Sequence, residues 1–246
     1  MAPRRRLSSA NRSPANALLA ALPADDYARL APTLGTTALK LKRFLHKPGE
    51  SIDQVYFPGG GFASVVTVLK DGGMVEVATI GREGMLGMSA ALNRDPSPSA
   101  AMVQAEIDTC YTMSAEAFRQ EMDRRGAFYA LLTRYGQALV GFIMQSTACN
   151  AVHSVEQRLS RWLLLAHDRV GKDEFPLTQE FAAMMLGTSR PTVTVVAGTL
   201  QKAGLITYHR GHVTVVDREN LEAASCECYQ TATDLLKAVT RRRLAA

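Results

Sequence analysis

No apolar run in the 246-residue sequence reaches the roughly 18 residues that a membrane span needs, so no membrane segment is expected. The N-terminus is basic (Arg4, Arg5, Arg6), but no apolar stretch follows it directly. The segment from Leu18 to Leu22 is short and is cut by Pro23, which argues against a signal peptide and makes the cytoplasm the expected compartment. Cysteine is scarce. Cys110, Cys149, Cys226 and Cys228 form neither a disulfide framework nor a zinc-finger spacing. Cys226 and Cys228 make a lone C-x-C pair, read as two reduced thiols on a helix. A redox or metal role is the alternative, and it lacks the second pair such a site commonly uses. No metal site is therefore expected. Catalytic signatures are missing too. There is no G-x-S-x-G, no H-E-x-x-H and no P-loop, and acidic residues are scattered, so no catalytic residue is assigned and no enzyme is expected.

What is present is a basic balance, with a formal net charge of +5 and a pI of about 9.1. Hydrophobic residues make up 47% and charged residues 21%, ordinary values for a globular protein, and the length suits two domains. The last quarter carries Arg190, Lys202, His209, Arg210, His212, Arg218, Lys237 and Arg241 to Arg243. This is where a footprint on a polyanion would fall, the alternative being a merely solvated basic surface.

Residues 1–15 are rich in Arg, Ser, Asn and Pro and read as a disordered basic arm. Residues 16–34 read as short helices broken at Pro23 and Pro32. Between about 39 and 113 the chain is rich in Val, Thr and Gly. Strand-like runs lie at Gln54 to Phe57, Phe62 to Leu69, Met74 to Ile80 and Met102 to Ala105. Turns separate them, among them Lys47-Pro48-Gly49, Pro58-Gly59-Gly60-Gly61 and Asp71-Gly72-Gly73, which predicts an antiparallel sandwich or barrel over 16–126. From Ala115 the pattern becomes helical. Phe128, Leu132, Tyr135, Leu139, Phe142, Ser146, Cys149 and His153 alternate spacings of four and three. That is a heptad-like seam on a long helix at 127–153. The expectation is a dimer interface through Phe128, Leu132, Tyr135, Leu139 and Phe142, the alternative being that the stripe packs only on the chain's own N-terminal sandwich or barrel. A further helix is predicted from Val155 to Val170, closed by Gly171.

The segment from Pro176 to Asp217 carries the most information. Thr178 can cap a helix from Gln179 to Leu186. Ala183 is small where two helices must approach, and Gly187 permits the left-handed turn between them. Ser189 caps a second helix, with Pro191 in its first turn where a missing N–H costs nothing. Val193, Val196 and Leu200 form its inner face. Gln-x3-Ala-x3-Gly-x5-Val is helix-turn-helix spacing. Leu205 to Tyr208 and Val213 to Val216 then flank His209-Arg210-Gly211-His212, a wing whose basic tip suits phosphate. The expected partner is double-stranded DNA.

On these motifs the chain resembles the Crp/Fnr family over roughly residues 16–218. The resemblance rests on Lys47-Pro48-Gly49-Glu50, on Gly81-x-x-Gly84-x-x-Gly87, and on Gly187-Thr188-Ser189-Arg190-Pro191-Thr192-Val193. It implies an α+β protein. Its parts would be an N-terminal cyclic-nucleotide-binding-like β-roll (jelly roll), a dimerisation helix, a C-terminal winged helix-turn-helix at 154–220, and a helical extension at 221–246. It also implies a sequence-specific, homodimeric transcription regulator on a two-fold operator, with RNA polymerase as a further partner. Arg190 matches the family arginine that contacts guanine. Pro191 stands where a glutamate is typical and Val195 where an arginine is typical, so the preferred half-site should differ from the standard one. Thr178, Gln179, Ser189, Thr192, Thr194, Lys202, His209, Arg210 and His212 complete the expected DNA surface. The effector pocket would involve Gly81, Gly84, Gly87, Ser89 and Ser99. The family's ribose-binding glutamate and phosphate-binding arginine fall near Ser89 and Ser99, where neither charge is present. A cyclic nucleotide is therefore not the expected effector, and no cofactor is assigned.

Overall fold

The computed structural model describes residues 13–88 and 95–241. Most of the predicted arm, together with Ser89, lies outside them. Two short helices come first, α1 (Ala17–Ala20) and α2 (Ala24–Leu30). Asn16 is fully buried and accepts from the amides of Leu18 and Leu19. Its own amide donates to the carbonyls of Pro58 and Gly84 at 2.9 Å each. One side chain thus caps α1 and fastens it to the strands.

Seven strands follow: β1 (Gly35–Leu39), β2 (Phe44–His46), β3 (Gln54–Pro58), β4 (Phe62–Val68), β5 (Met74–Ile80), β6 (Ala100–Ala105) and β7 (Ile107–Ser114). They form two antiparallel sheets, ordered β1-β7-β3 and β2-β6-β4-β5. The hairpin at Asp71-Gly72-Gly73 joins β4 to β5 as its residues predict. Gly72 takes a φ of 84°, and the Asp71 carboxylate accepts from the Gly73 amide at 2.9 Å. Sequence patterning missed β1, β2 and β7. β2 is only three residues long, and β7 buries its residues without strict alternation.

Ser114 caps α3 (Ala115–Asp123), and α4 (Ala127–Val152) then runs without a break. Its apolar stripe turns inward. Phe128 packs against Phe57 and Phe118 with ring centroids 6.4 and 5.8 Å apart. Phe128, Leu132, Tyr135 and Phe142 are buried within the single chain, and Leu139 is half-buried against the same core. The expected dimer seam therefore needs correcting, because its large side chains already fill the roll. A second stripe on α4 is open instead: Thr133, Gln137, Val140, Met144, Thr147 and Ala151 are exposed. Val140 and Met144 are 57% and 67% accessible. These positions also alternate spacings of four and three, five residues out of register with the first seam.

Ser154 and Gln157 form a capping box at the start of α5 (Val155–Val170), which ends at Gly171 in the left-handed conformation, φ 67°. Helix α5 seats the C-terminal half on the roll. Trp162 meets Phe62 edge-on at 6.0 Å, and its indole N–H donates to Glu76 on β5 at 2.9 Å. The Ser64 hydroxyl donates to the same carboxylate. Burial pushes the Glu76 carboxyl up to about 7, against the pull of Ser64, Arg161, Trp162 and Arg169. Between its ordinary value and the raised one, the folded chain holds a proton that the unfolded chain has released. Stability therefore falls as pH rises from 4.5 to about 7. The loss is on the order of 3 kcal/mol at most. Glu76→Gln should flatten the decline of melting temperature across that window. A variant whose profile still falls like the parent's would remove Glu76 as its source.

After the wing come α8 (Arg218–Ala224) and α9 (Cys228–Arg241), two helices where one was expected. Cys228, Tyr229, Ala232, Leu236 and Val239 form the buried face of α9, which lies along α4 with Leu235 against Gly141. The Tyr229 hydroxyl donates to Asp168 at 2.8 Å and accepts from Arg218 at 2.7 Å. The extension is thus part of the folded body.

Candidate nucleic-acid interface

Thr178 caps α6 (Gln179–Leu186) by accepting from the Phe181 amide at 3.2 Å. Gly187 closes α6 in the left-handed conformation with φ 58°, and the Thr188 amide returns to the Ala183 carbonyl at 3.0 Å. Ser189 caps α7 (Arg190–Lys202) through the Thr192 amide. Val193, Ala197 and Leu200 are the buried positions of α7, with Val196 half-buried beside them. The opposite face is open. Arg190, Pro191, Thr194, Val195 and Lys202 are exposed, Val195 at 70%. Gly198 lies along the same face, and a Cβ added there would meet nothing within 4 Å. Sequence reasoning overlooked it, although a glycine inside a helix, on its open face, is a signal that another backbone can come close.

The hydroxyls on this face are partly engaged. Thr194 donates to the Gln179 side-chain carbonyl at 2.7 Å, tying the two helices together. Thr192 and Ser189 hydroxyls lie 2.8 Å apart. Gln179 and Thr194 therefore brace each other as well as facing outward.

The wing has three strands. β9 (Ile206–His209) and β10 (His212–Val215) form the hairpin, and β8 (Glu174–Pro176), which sequence patterning missed, pairs with the outer side of β10. Arg210 and Gly211 make a two-residue turn with φ 46° and 81°, the geometry that matches strand twist in a hairpin. Arg210, His209 and His212 all sit at its tip and are exposed. Two further residues position the wing and were not singled out from sequence. Gln201 on α7 accepts from the Tyr208 amide at 2.9 Å, and the Tyr208 hydroxyl donates to the Leu177 carbonyl. Between wing and helix lies a concavity of about 580 Å³ lined by Thr178, Gln179, Glu180, Arg190, Tyr208, Arg210 and Gly211. The two guanidinium-bearing residues contribute to the same open groove, and backbone-anchored elements hold both sides.

The glycine loop of the expected effector pocket packs closely against two helices. A Cβ on Gly84 would come within 2.5 Å of the Tyr135 hydroxyl, which donates to the Met85 carbonyl at 3.0 Å. A Cβ on Gly81 would come within 2.8 Å of Arg169, whose guanidinium pairs with Glu83 at 2.7 Å and reaches the Thr79 carbonyl. Gly87, φ 88°, packs over Ile52. The loop is a seat for α4 and α5. Ser99 lies elsewhere, beside β6, where it exchanges hydrogen bonds with Ser97, whose backbone bonds to Gly49 and Glu50.

The cysteines depart from expectation. Cys226 lies between α8 and α9, and Cys228 is the first residue of α9. The missing second pair is supplied by Cys149 and His153 at the end of α4, all four ligand atoms lying within 4.8 Å of one another.

Two family models match the chain. One is described as a cyclic nucleotide-binding domain and covers residues 37–125, and the other as a Crp-like helix-turn-helix domain and covers residues 157–224. Among solved structures, a transcriptional regulator of the CRP family from Thermus thermophilus is 20% identical with a TM-score of 0.64, over 77% of this chain and 96% of that one. The c-di-GMP responsive global regulator CLP of Xanthomonas campestris is 16% identical with a TM-score of 0.61, over 78% and 99%. FixK2 from Bradyrhizobium japonicum is 13% identical with a TM-score of 0.61, over 78% and 98%. At these identities the likeness is one of fold. No curated protein matches the sequence. No helix among the described residues is long and apolar enough to cross a membrane.

Proposed function

The chain belongs to the Crp/Fnr family of transcription regulators, and we propose that it acts as a homodimer on a two-fold DNA site, with α7 in the major groove and the wing on the flanking phosphates. The observation that carries this reading is the open face of α7. Arg190 is exposed at its first turn, in one groove with the wing-tip Arg210. Residues at the N-terminus of such a helix reach base edges, and basic residues at its periphery meet phosphate. The partner copy is assigned to the exposed stripe of α4 from Thr133 to Ala151, which is uncharged and has the heptad spacing of a two-helix seam. RNA polymerase is the protein that such a dimer would recruit or exclude.

A signal in the roll would reach the DNA-binding elements through β5. Glu76 on that strand is hydrogen-bonded to Trp162, and Val75 lies against Gly187, so a Cβ there would approach its methyl groups to 3.4 Å. Selection of bound sequences from a random DNA library tests the proposal. The expected result is an inverted repeat with half-site centres about one helical turn, roughly 34–36 Å, apart. Enrichment without two-fold symmetry, or no enrichment, would overturn it.

A further inference from the structure

We propose that Cys149, His153, Cys226 and Cys228 bind one zinc ion, which clasps the C-terminal helices to the joint between α4 and α5. The four residues come from two distant places. Cys149 and His153 lie one helical turn apart at the end of α4, so their side chains share a face. Cys226 and Cys228 flank the start of α9, and Cys226 is 77 residues from Cys149. The fold nevertheless brings all four ligand atoms within 4.8 Å of one another. The Cys149 and Cys226 sulfurs are 3.5 Å apart, as are the Cys228 sulfur and His153 Nδ1. A tetrahedral zinc with bonds of about 2.3 Å to sulfur and about 2.0 Å to nitrogen has edges of roughly 3.8 and 3.5 Å. The cage is thus close to its final size. An iron–sulfur cluster would hold its ligand sulfurs wider apart than this arrangement allows.

The surroundings carry the second line of argument. The Glu227 carboxylate stands 3.3 Å from His153 Nε2, the nitrogen facing away from the cage. A carboxylate in that position fixes the ring and leaves Nδ1 as the ligand. The Gln145 amide donates to the Cys228 sulfur at 3.0 Å. Two guanidinium groups, Arg158 and Arg161, are 8% and 6% exposed. Among the described residues neither forms an ion pair with a carboxylate, and the Nε atom of each lacks a partner. Buried cations of this kind require a counter-charge. Their hydrogen bonds go to uncharged groups, Arg158 to the Leu186 carbonyl and Arg161 to the hydroxyl of Ser146, one turn before Cys149, and the Glu76 carboxyl that Arg161 also feels is pushed by burial toward its neutral form. Three thiolates, one neutral imidazole and one Zn²⁺ carry a net charge of −1, the sign these arginines call for. Loading releases three thiol protons to solvent, with no change of oxidation state.

The three cysteines are buried and His153 is half-buried, so four protein ligands close the coordination sphere and the site is structural. Its position gives it a consequence. His153 ends α4 and Ser154 caps α5, so the ion fixes the joint through which the roll connects to the helix-turn-helix.

The test is metal analysis of the full chain, purified untagged and without chelators. It does not depend on DNA binding, so its failure and that of the regulatory reading are separable. One zinc per chain is expected. Cys228→Ser and His153→Gln should each lose most of it, whereas Cys110→Ser, in the roll, should retain it. Should the site variants fail to fold, the wild-type protein decides alone. Replacing zinc by Co²⁺ should give the intense visible bands of a tetrahedral thiolate site at one cobalt per chain, and chelation should lower the melting temperature. Protein that neither contains zinc nor takes up stoichiometric Co²⁺ would overturn the proposal. So would a Cys149–Cys226 disulfide in the protein as isolated, or an iron–sulfide chromophore.

Discussion

A chain carrying Val140→Glu and Met144→Glu should sediment as a monomer and bind a full two-fold site about 10²–10⁴-fold more weakly, since a lone subunit loses the effective concentration that linkage supplies. Both side chains are exposed in the single chain, so the substitutions leave the core untouched and the monomer should melt as a folded protein. Two glutamates from each copy would meet across the proposed seam, where like charges oppose association. The contrast is Phe142→Ala. Phe142 is 2% exposed and belongs to the chain's own hydrophobic core, so its truncation should cost ~3–5 kcal/mol of stability while leaving the dimer face intact. Analytical ultracentrifugation and thermal melts on the same samples separate the two effects. An unchanged dimer in the double-glutamate variant would show that a different surface holds the copies together.

Sequence patterning chose the wrong seam because helix α4 carries two heptad stripes. The one containing Phe128, Leu132, Tyr135 and Phe142 is the more apolar, and burial favours the more apolar face against the nearest core. That core belongs to the chain itself, where Phe57 and Phe118 await Phe128. The weaker stripe, with Val140 and Met144 between threonines and small residues, is left exposed. The helix-turn-helix was far more legible, because its constraints are local. Thr178 and Ser189 must cap, Gly187 must take a positive φ, and Arg210-Gly211 must turn a hairpin.

Features built from distant partners were not legible. β8 is three residues long and is a strand only because β10 lies beside it. The Cys149–His153 and Cys226–Cys228 pairs form a cluster only because α9 folds back along α4. The sequence did hold one clue. A Cys-x3-His at a helix end places both side chains on one face, and a C-x-C elsewhere then has a possible second pair. The glycine loop meets a packing requirement that the sequence did not show. Gly81 and Gly84 are small because Arg169 and Tyr135 lie over them, a requirement of helix seating that looks the same in sequence as room for a ligand.

Arg190→Ala should cost ~1–3 kcal/mol on the preferred site and relax the demand for guanine at one position in each half-site. Arg190 is the first residue of α7, immediately after the Ser189 cap, and its side chain is exposed with no ion pair to a carboxylate among the described residues. A guanidinium so placed can donate to O6 and N7 of guanine together. Pro191, next to it, has no donor or acceptor on its side chain, and Val195, one turn on, offers only a methyl surface to a thymine methyl. Discrimination through hydrogen bonds therefore concentrates on Arg190, with Thr194 limited by its bond to Gln179. Lys202 at the far end of α7 and Arg210 at the wing tip are exposed, and phosphate is the contact expected of each. Lys202→Ala and Arg210→Ala should weaken every sequence alike, and each should reduce the steepness of salt dependence by about one counterion. Binding of the three variants to a matched set of single-base changes, at two salt concentrations, distinguishes the roles. If Arg190→Ala lowers affinity for all sequences by one common factor, Arg190 is a phosphate ligand, and sequence preference must come from the threonines of α7 or from the shape of the DNA.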